Sequence, residues 1–122
     1  MEHLHGEGWM QAVASSAPRR NVETVLEALG LGRWFQATAA AEDVQAGKPD
    51  PQVFLVAASR LGTEPRQCIV VEDAQAGVEA ARRAGMRSIG VGRNSHAIGA
   101  NLTTLTLSDL KPDAFTTMLG AD

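Results

Sequence analysis

Gly47-Lys48-Pro49-Asp50-Pro51, followed after a short helical pattern by Cys68-Ile69-Val70-Val71-Glu72-Asp73, is the stretch that decides the fold. Asp50 before Pro51 reads as a helix cap followed by proline at the first helical position. Phe54, Ala57, Ala58 and Leu61 then recur on one face, and Gly62 stops the helix. The apolar run Cys68–Val71 reads as a buried strand that ends in two carboxylates. Strand, helix and glycine stop in this order make the repeating unit of a parallel α/β sheet.

The same grammar extends outward. Gln11 to Ala14 is a short apolar strand running into Ser15 and Ser16. Val22, Val25, Leu26 and Leu29 form an i, i+3, i+4, i+7 stripe that starts near Pro18 or Asn21 and stops at Gly30. Phe35 to Ala39 suggests another strand, and a polar loop through Glu42 and Asp43 follows. Gly77 to Ala84 is a third helix with Val78, Ala81 and Ala84 inward and Gly85 as its stop; Arg82 and Arg83 face water. Arg87 to Val91 is a strand, Leu105 to Leu107 an edge strand, and Asp113 to Leu119 a last helical turn or two.

Bulk properties bound the function. The 122 residues suffice for at most one compact domain, short for a complete α/β enzyme. Fourteen acidic residues against eleven basic ones, with both signs interspersed, argue against nucleic acid or a polybasic membrane patch. Aromatics are scarce. The single Cys68 cannot form an internal disulfide, and its apolar neighbours make it a buried thiol. With no long apolar stretch and a polar Met1 to Gly8, the expected location is cytoplasmic.

Ligands of parallel sheets sit beyond the carboxyl ends of the strands. Three candidate groups are expected there: Ser15 with Ser16, Lys48, and Glu72 with Asp73. Serine hydroxyls and adjacent amides donate to phosphate oxygens. A lysine ammonium neutralises charge on a transferring phosphoryl group. Adjacent carboxylates suit Mg²⁺, which prefers oxygen ligands. Read singly, each is ordinary: a turn, a solvated loop charge, a pair of helix caps. Their order along the chain favours phosphate chemistry. His3 and His5 read as solvated, and Gly90, Gly92 and Ser95 as a turn rather than a phosphate loop.

AVASSAPRRNVETVLEALGL from Ala12, AEDVQAGKPDPQVFLVAASRLG from Ala41 and VVEDAQAGVEAARRAGM from Val70 resemble the haloacid dehalogenase-like (HAD) hydrolases, in the β-phosphoglucomutase and phosphoglycolate phosphatase branch. The resemblance covers most of the chain. It implies a Rossmann-like three-layer core over residues 1–122, Mg²⁺, and phosphoryl transfer to a small phosphorylated metabolite through an aspartyl-phosphate. It makes Ser15 the phosphate-binding hydroxyl of the second motif, with Ser16 as a further phosphate or substrate contact, and Lys48 the lysine of the third. Asp73 becomes a metal ligand of the fourth, with Glu72 ligating directly or through water.

One part of the family pattern is missing. Members open with a central strand ending in Asp-x-Asp, which supplies the nucleophile, followed by a substrate-selecting cap; no Asp-x-Asp pair occurs in this sequence. Neither Lys48 nor Ser15 replaces a carboxylate nucleophile without changing the chemistry. The expectation is therefore a partial core, inactive alone, or a non-catalytic module that completes another chain's fold. Losing a central strand leaves unpaired backbone edges. Either the Gln11–Ser15 strand closes onto Cys68–Val71, or a second chain or homo-oligomer fills the slot, or the fragment is marginally folded. A receiver-like phospho-acceptor domain is disfavoured, because Lys48 precedes Asp73.

Overall fold

The computed structural model describes residues 4, 6–93, 98–111 and 113–120, so His3, His5 and Ser95 lie outside the described residues. The chain forms two compact units, one from Met1–Gly47 with Gln52–Thr63, the other from Lys48–Pro51 with Glu64–Asp122.

In the first unit, β1 (Ala12–Ala14) pairs in parallel with β2 (Ala37–Ala39), in the register Val13 to Thr38. The ladder runs one rung further, where the Ser15 N–H donates to the Ala39 carbonyl at 2.9 Å. Helix α1 (Arg19–Ala28) follows β1, and α2 (Gln52–Leu61) packs on both strands, burying Val53, Phe54, Ala57 and Ala58. Both helices end at a glycine with positive φ, Gly30 at 66° and Gly62 at 68°. That left-handed conformation strains any residue with a Cβ, which is why glycine stops were legible in the sequence.

The loop at Glu42 and Asp43 is structural. Glu42 Oε1 accepts the Arg19 N–H at 2.8 Å, capping the first turn of α1 in place of Pro18, whose side chain caps nothing. Asp43 accepts from Arg19 with one oxygen and from Arg60 Nη2 with the other, at 2.9 Å. Both guanidiniums also reach the Thr38 carbonyl. The Arg60 hydrogen bond, the Ala40 N–H and the nearby arginine charges together hold the Asp43 carboxyl well below the usual carboxylate range.

The second unit is a parallel sheet in the order β3 (Ile69–Glu72), β4 (Arg87–Val91), β5 (Leu102–Thr104). Ile89 of β4 is fully buried between Val71 and Leu102 in register. Helix α3 (Gln75–Arg83) lies on β3 and β4 with Val78, Ala80 and Ala81 buried, and Gly85 at φ 80° ends it. Glu79 accepts from Arg82 and Arg83, which hold its carboxyl down at about 2. The chain ends with α4 (Ala114–Gly120).

Four expectations need correction. The edge strand lies at Leu102–Thr104 rather than Leu105–Leu107, because Leu105 is already in the turn whose carbonyl accepts the Gly92 N–H. The α1 stripe is only partly covered: Val22 is buried, yet Val25 is 55 % and Leu29 64 % exposed. Periodicity reveals an apolar face, not whether an element covers it; α1 rests mainly on the Gly32–Trp34 turn. Cys68 is half-buried at the start of β3, where its Sγ contacts the Glu64 carbonyl and burial pushes its pKa up. Finally, β1 does not close onto β3: among the described residues, β1 is laddered to β2 and β3 to β4, in separate sheets.

Two outcomes follow. Ile89→Ala is expected to cost roughly 2–5 kcal/mol by urea titration, since it empties a closed core position. Leu29→Ala should change stability by less than about 0.5 kcal/mol, because the side chain is exposed. A separate outcome concerns acid. Glu79 titrates at about 2 in the folded chain against an ordinary 4.5, so its contribution is present above 4.5 and disappears as pH falls towards 2. Glu79→Gln should flatten the decline in melting temperature across that window, and added salt should shrink the difference.

Candidate functional site

The carboxyl edge of β3 gathers three of the candidate residues. Glu72 is the last residue of the strand and Asp73 the next. Lys48 Nζ donates to Glu72 Oε2 at 2.9 Å, and both side chains are largely covered, at 17 % and 10 % exposure. The other oxygen, Oε1, accepts the backbone N–H groups of Asp73 at 3.1 Å and Ala74 at 3.2 Å, immediately before α3. Glu72 is thus both a helix-entry acceptor and the anchor of Lys48, so the capping reading holds for Glu72 while the lysine is paired rather than merely solvated.

Asp73 is exposed, and among the described residues its carboxylate has no partner. No three His, Cys, Asp or Glu side chains cluster to hold a metal among the described residues. The donor chemistry nevertheless fits Mg²⁺ in kind. An ionised carboxylate offers about four lone-pair positions, and the three hydrogen bonds to Glu72 leave room for a direct or water-mediated contact. Two carboxylates are also the usual protein share of such a site.

The sequence reading missed Gly77. An added Cβ there would overlap the Glu72 carboxylate and its stem, so the absence of a side chain in the first turn of α3 is what lets Glu72 lie where it does. A glycine inside an otherwise periodic helix was the available signal, since it costs helix stability and asks for a packing reason. The Asp43 clasp was also missed; nothing local links Arg19, Asp43 and Arg60.

Ser15 and Ser16 belong to the first unit. Ser15 Oγ accepts the Ala17 N–H at 3.0 Å, a serine turn that leads into α1 and leaves the hydroxyl hydrogen available to donate. Ser15 is half-buried and Ser16 exposed. The turn reading of this pair is therefore correct, and it is compatible with phosphate binding. No helix among the described residues is long and apolar enough to cross a membrane.

Comparison with known proteins gives the same family. Residues 1–91 match the family model for haloacid dehalogenase-like hydrolases. β-Phosphoglucomutase of Bacillus subtilis is 38 % identical over 107 residues, covering 88 % of this chain and 46 % of that protein. A fructose-1-phosphate phosphatase of Escherichia coli is 44 % identical over 87 residues, covering 71 % and 46 %. The crystal structure of β-phosphoglucomutase from Clostridium difficile superposes with a TM-score of 0.86 at 32 % identity, covering 96 % of this chain and 52 % of that one. The chain spans about half the length of these relatives. Its α/β fold is therefore the Rossmann-like fold of that group, and the chain belongs to the haloacid dehalogenase-like hydrolases.

Proposed function

We propose that residues 1–122 supply part of a single core domain of a Mg²⁺-dependent phosphatase or phosphomutase, acting on a small phosphorylated sugar or similar metabolite through an aspartyl-phosphate. The observation that carries this reading is the Lys48–Glu72 pair beside the unpartnered Asp73 at a strand end. The names of the relatives support the substrate class, since they include a phosphoglucomutase and a hexitol phosphatase.

In this reading Ser15 donates its hydroxyl to a phosphate oxygen, with Ser16 as a further contact. Lys48, oriented by Glu72, offsets negative charge on the phosphoryl group. Asp73 and Glu72 hold the metal, which supplies Lewis-acid stabilisation when bound. The nucleophile comes from elsewhere, because the sequence contains no Asp-x-Asp. A chain of this sequence is inactive alone, and a second polypeptide, or another part of the same one, provides the strand that bears the attacking carboxylate. A cytoplasmic setting is consistent with the lone half-buried Cys68.

A second reading, a non-catalytic module that completes another chain's fold, is favoured by one feature: among the described residues β3 is paired on one edge only, and its Val71 is 40 % exposed. An open strand edge with an apolar side chain is a template for pairing.

Hydrolysis of p-nitrophenyl phosphate separates the two readings. The purified chain should show no turnover. Co-expression with a segment bearing Asp-x-Asp should give Mg²⁺-dependent turnover, which Asp73→Asn should reduce at least a hundredfold. Stable association without turnover would favour the module, and turnover by the chain alone would overturn the missing-nucleophile reading. In the complemented enzyme, Gly77→Ala should lower turnover at least tenfold and lower stability by roughly 2–4 kcal/mol, because a displaced Glu72 leaves Lys48 uncompensated and helix propensity offsets only part of that loss. The added methyl displaces the Glu72 side chain, whereas alanine is itself the better helix former.

A further inference from the structure

A cluster of three arginines, of which Arg66 is ion-paired to Glu64 and Arg82 to Glu79, lies at the amino end of the β3–β4–β5 sheet, away from the strand end that carries Glu72. A cavity of about 250 Å³ opens there, lined by Arg66, Arg82, Arg87, Ser88, Asn101 and two glycines, with Val78 and Met86 forming its apolar wall. The three arginines come from three separate places: the turn before β3, the last turn of α3 and the first residue of β4. No carboxylate lines the cavity among the described residues, although the chain as a whole carries a net charge of −3.

The donors are available. Arg66 spends only its Nε–H, on Glu64 at 3.0 Å, so both of its amino groups remain without a partner among the described residues. Arg82 gives Nε and Nη2 to Glu79 and keeps Nη1. Asn101 accepts the Ser88 N–H through Oδ1 at 2.9 Å, which fixes its amide nitrogen as the remaining donor. Gly85 and Gly99 sit at φ 80° and 82°, with nothing within 4 Å of where a Cβ would stand, so the cavity is open to backbone approach at both.

We propose that this cavity is a binding site for a small polyanion of the pyrophosphate class, separate from the phosphate-handling edge at Lys48. Several guanidiniums facing one concavity raise the local concentration of anions, and their planar forks match phosphate oxygens in pairs. Size narrows the ligand: the volume falls below the usual range of about 300–1,000 Å³ for drug-sized ligands, so it suits linked phosphate groups rather than a nucleotide. The site lies beside the elements that place Glu72, so occupancy stabilises β3, β4 and α3 together. This inference does not rest on the phosphatase reading, and the two fail separately.

Isothermal titration of the full chain with pyrophosphate, at constant ionic strength and without Mg²⁺, tests it. One site is expected in the parent chain. Arg66→Gln with Arg82→Gln should weaken binding at least tenfold. Both side chains are about three-quarters exposed, at 75 % and 72 %, so the variant should fold as the parent does, as circular dichroism would verify. Lys48→Met combined with Glu72→Gln, which leaves no uncompensated charge at that strand end, should leave the affinity within twofold. In nitrogen-15 spectra, pyrophosphate should shift the amides of Gly85, Ser88 and Asn101. No binding at millimolar pyrophosphate, undiminished binding by the double arginine variant, or loss of binding in a folded Lys48→Met/Glu72→Gln variant would each overturn the proposal.

Discussion

Lys48 and Glu72 are 24 positions apart, and their ion pair organises the carboxyl edge of β3. Both charged groups are largely withdrawn from water, so each depends on the other: removing one partner of a buried pair typically costs about 3–5 kcal/mol because the survivor is left uncompensated. The pair also ties the Lys48–Pro51 turn to the second unit although the chain on either side belongs to the first. With Oε2 committed to Lys48, Glu72 turns Oε1 to the two amides that precede α3. Helix entry, lysine position and the carboxylate pair are thus one arrangement, made sterically possible by Gly77.

Much of this was legible because the signals are local. Gly30, Gly62 and Gly85 stop helices since each needs a backbone conformation that other residues resist. The apolar run before Glu72 forms a strand, and Lys48 reaches Glu72 at the end of it. What escaped reading depends on distant partners. Leu29 is apolar and in phase with Val22, yet nothing in its own stretch tells whether another element covers it. Asp43 looks like any loop acid until α1 and α2 bring Arg19 and Arg60 to it. Arg82 read as a solvated charge, and it is one, but it also faces a cavity whose other walls lie on β4 and beyond.

The half-length match to the relatives accords with the architecture of each unit. Parallel strands normally occupy the interior of sheets covered on both faces. Among the described residues, β1 is laddered to β2 and β3 to β4, and Val71 remains partly in water. The sequence contains no Asp-x-Asp pair, so in the proposed reading the attacking carboxylate comes from outside these 122 residues.

The Asp43 clasp has a thermodynamic consequence of its own. One carboxylate serves two guanidiniums borne by different helices, one oxygen to each. Loosening either helix from it alters the field felt by the other, so Arg19 and Arg60 cannot contribute independently. Their combined removal differs from the sum of the separate losses, and α1 and α2 respond to perturbation as a linked pair.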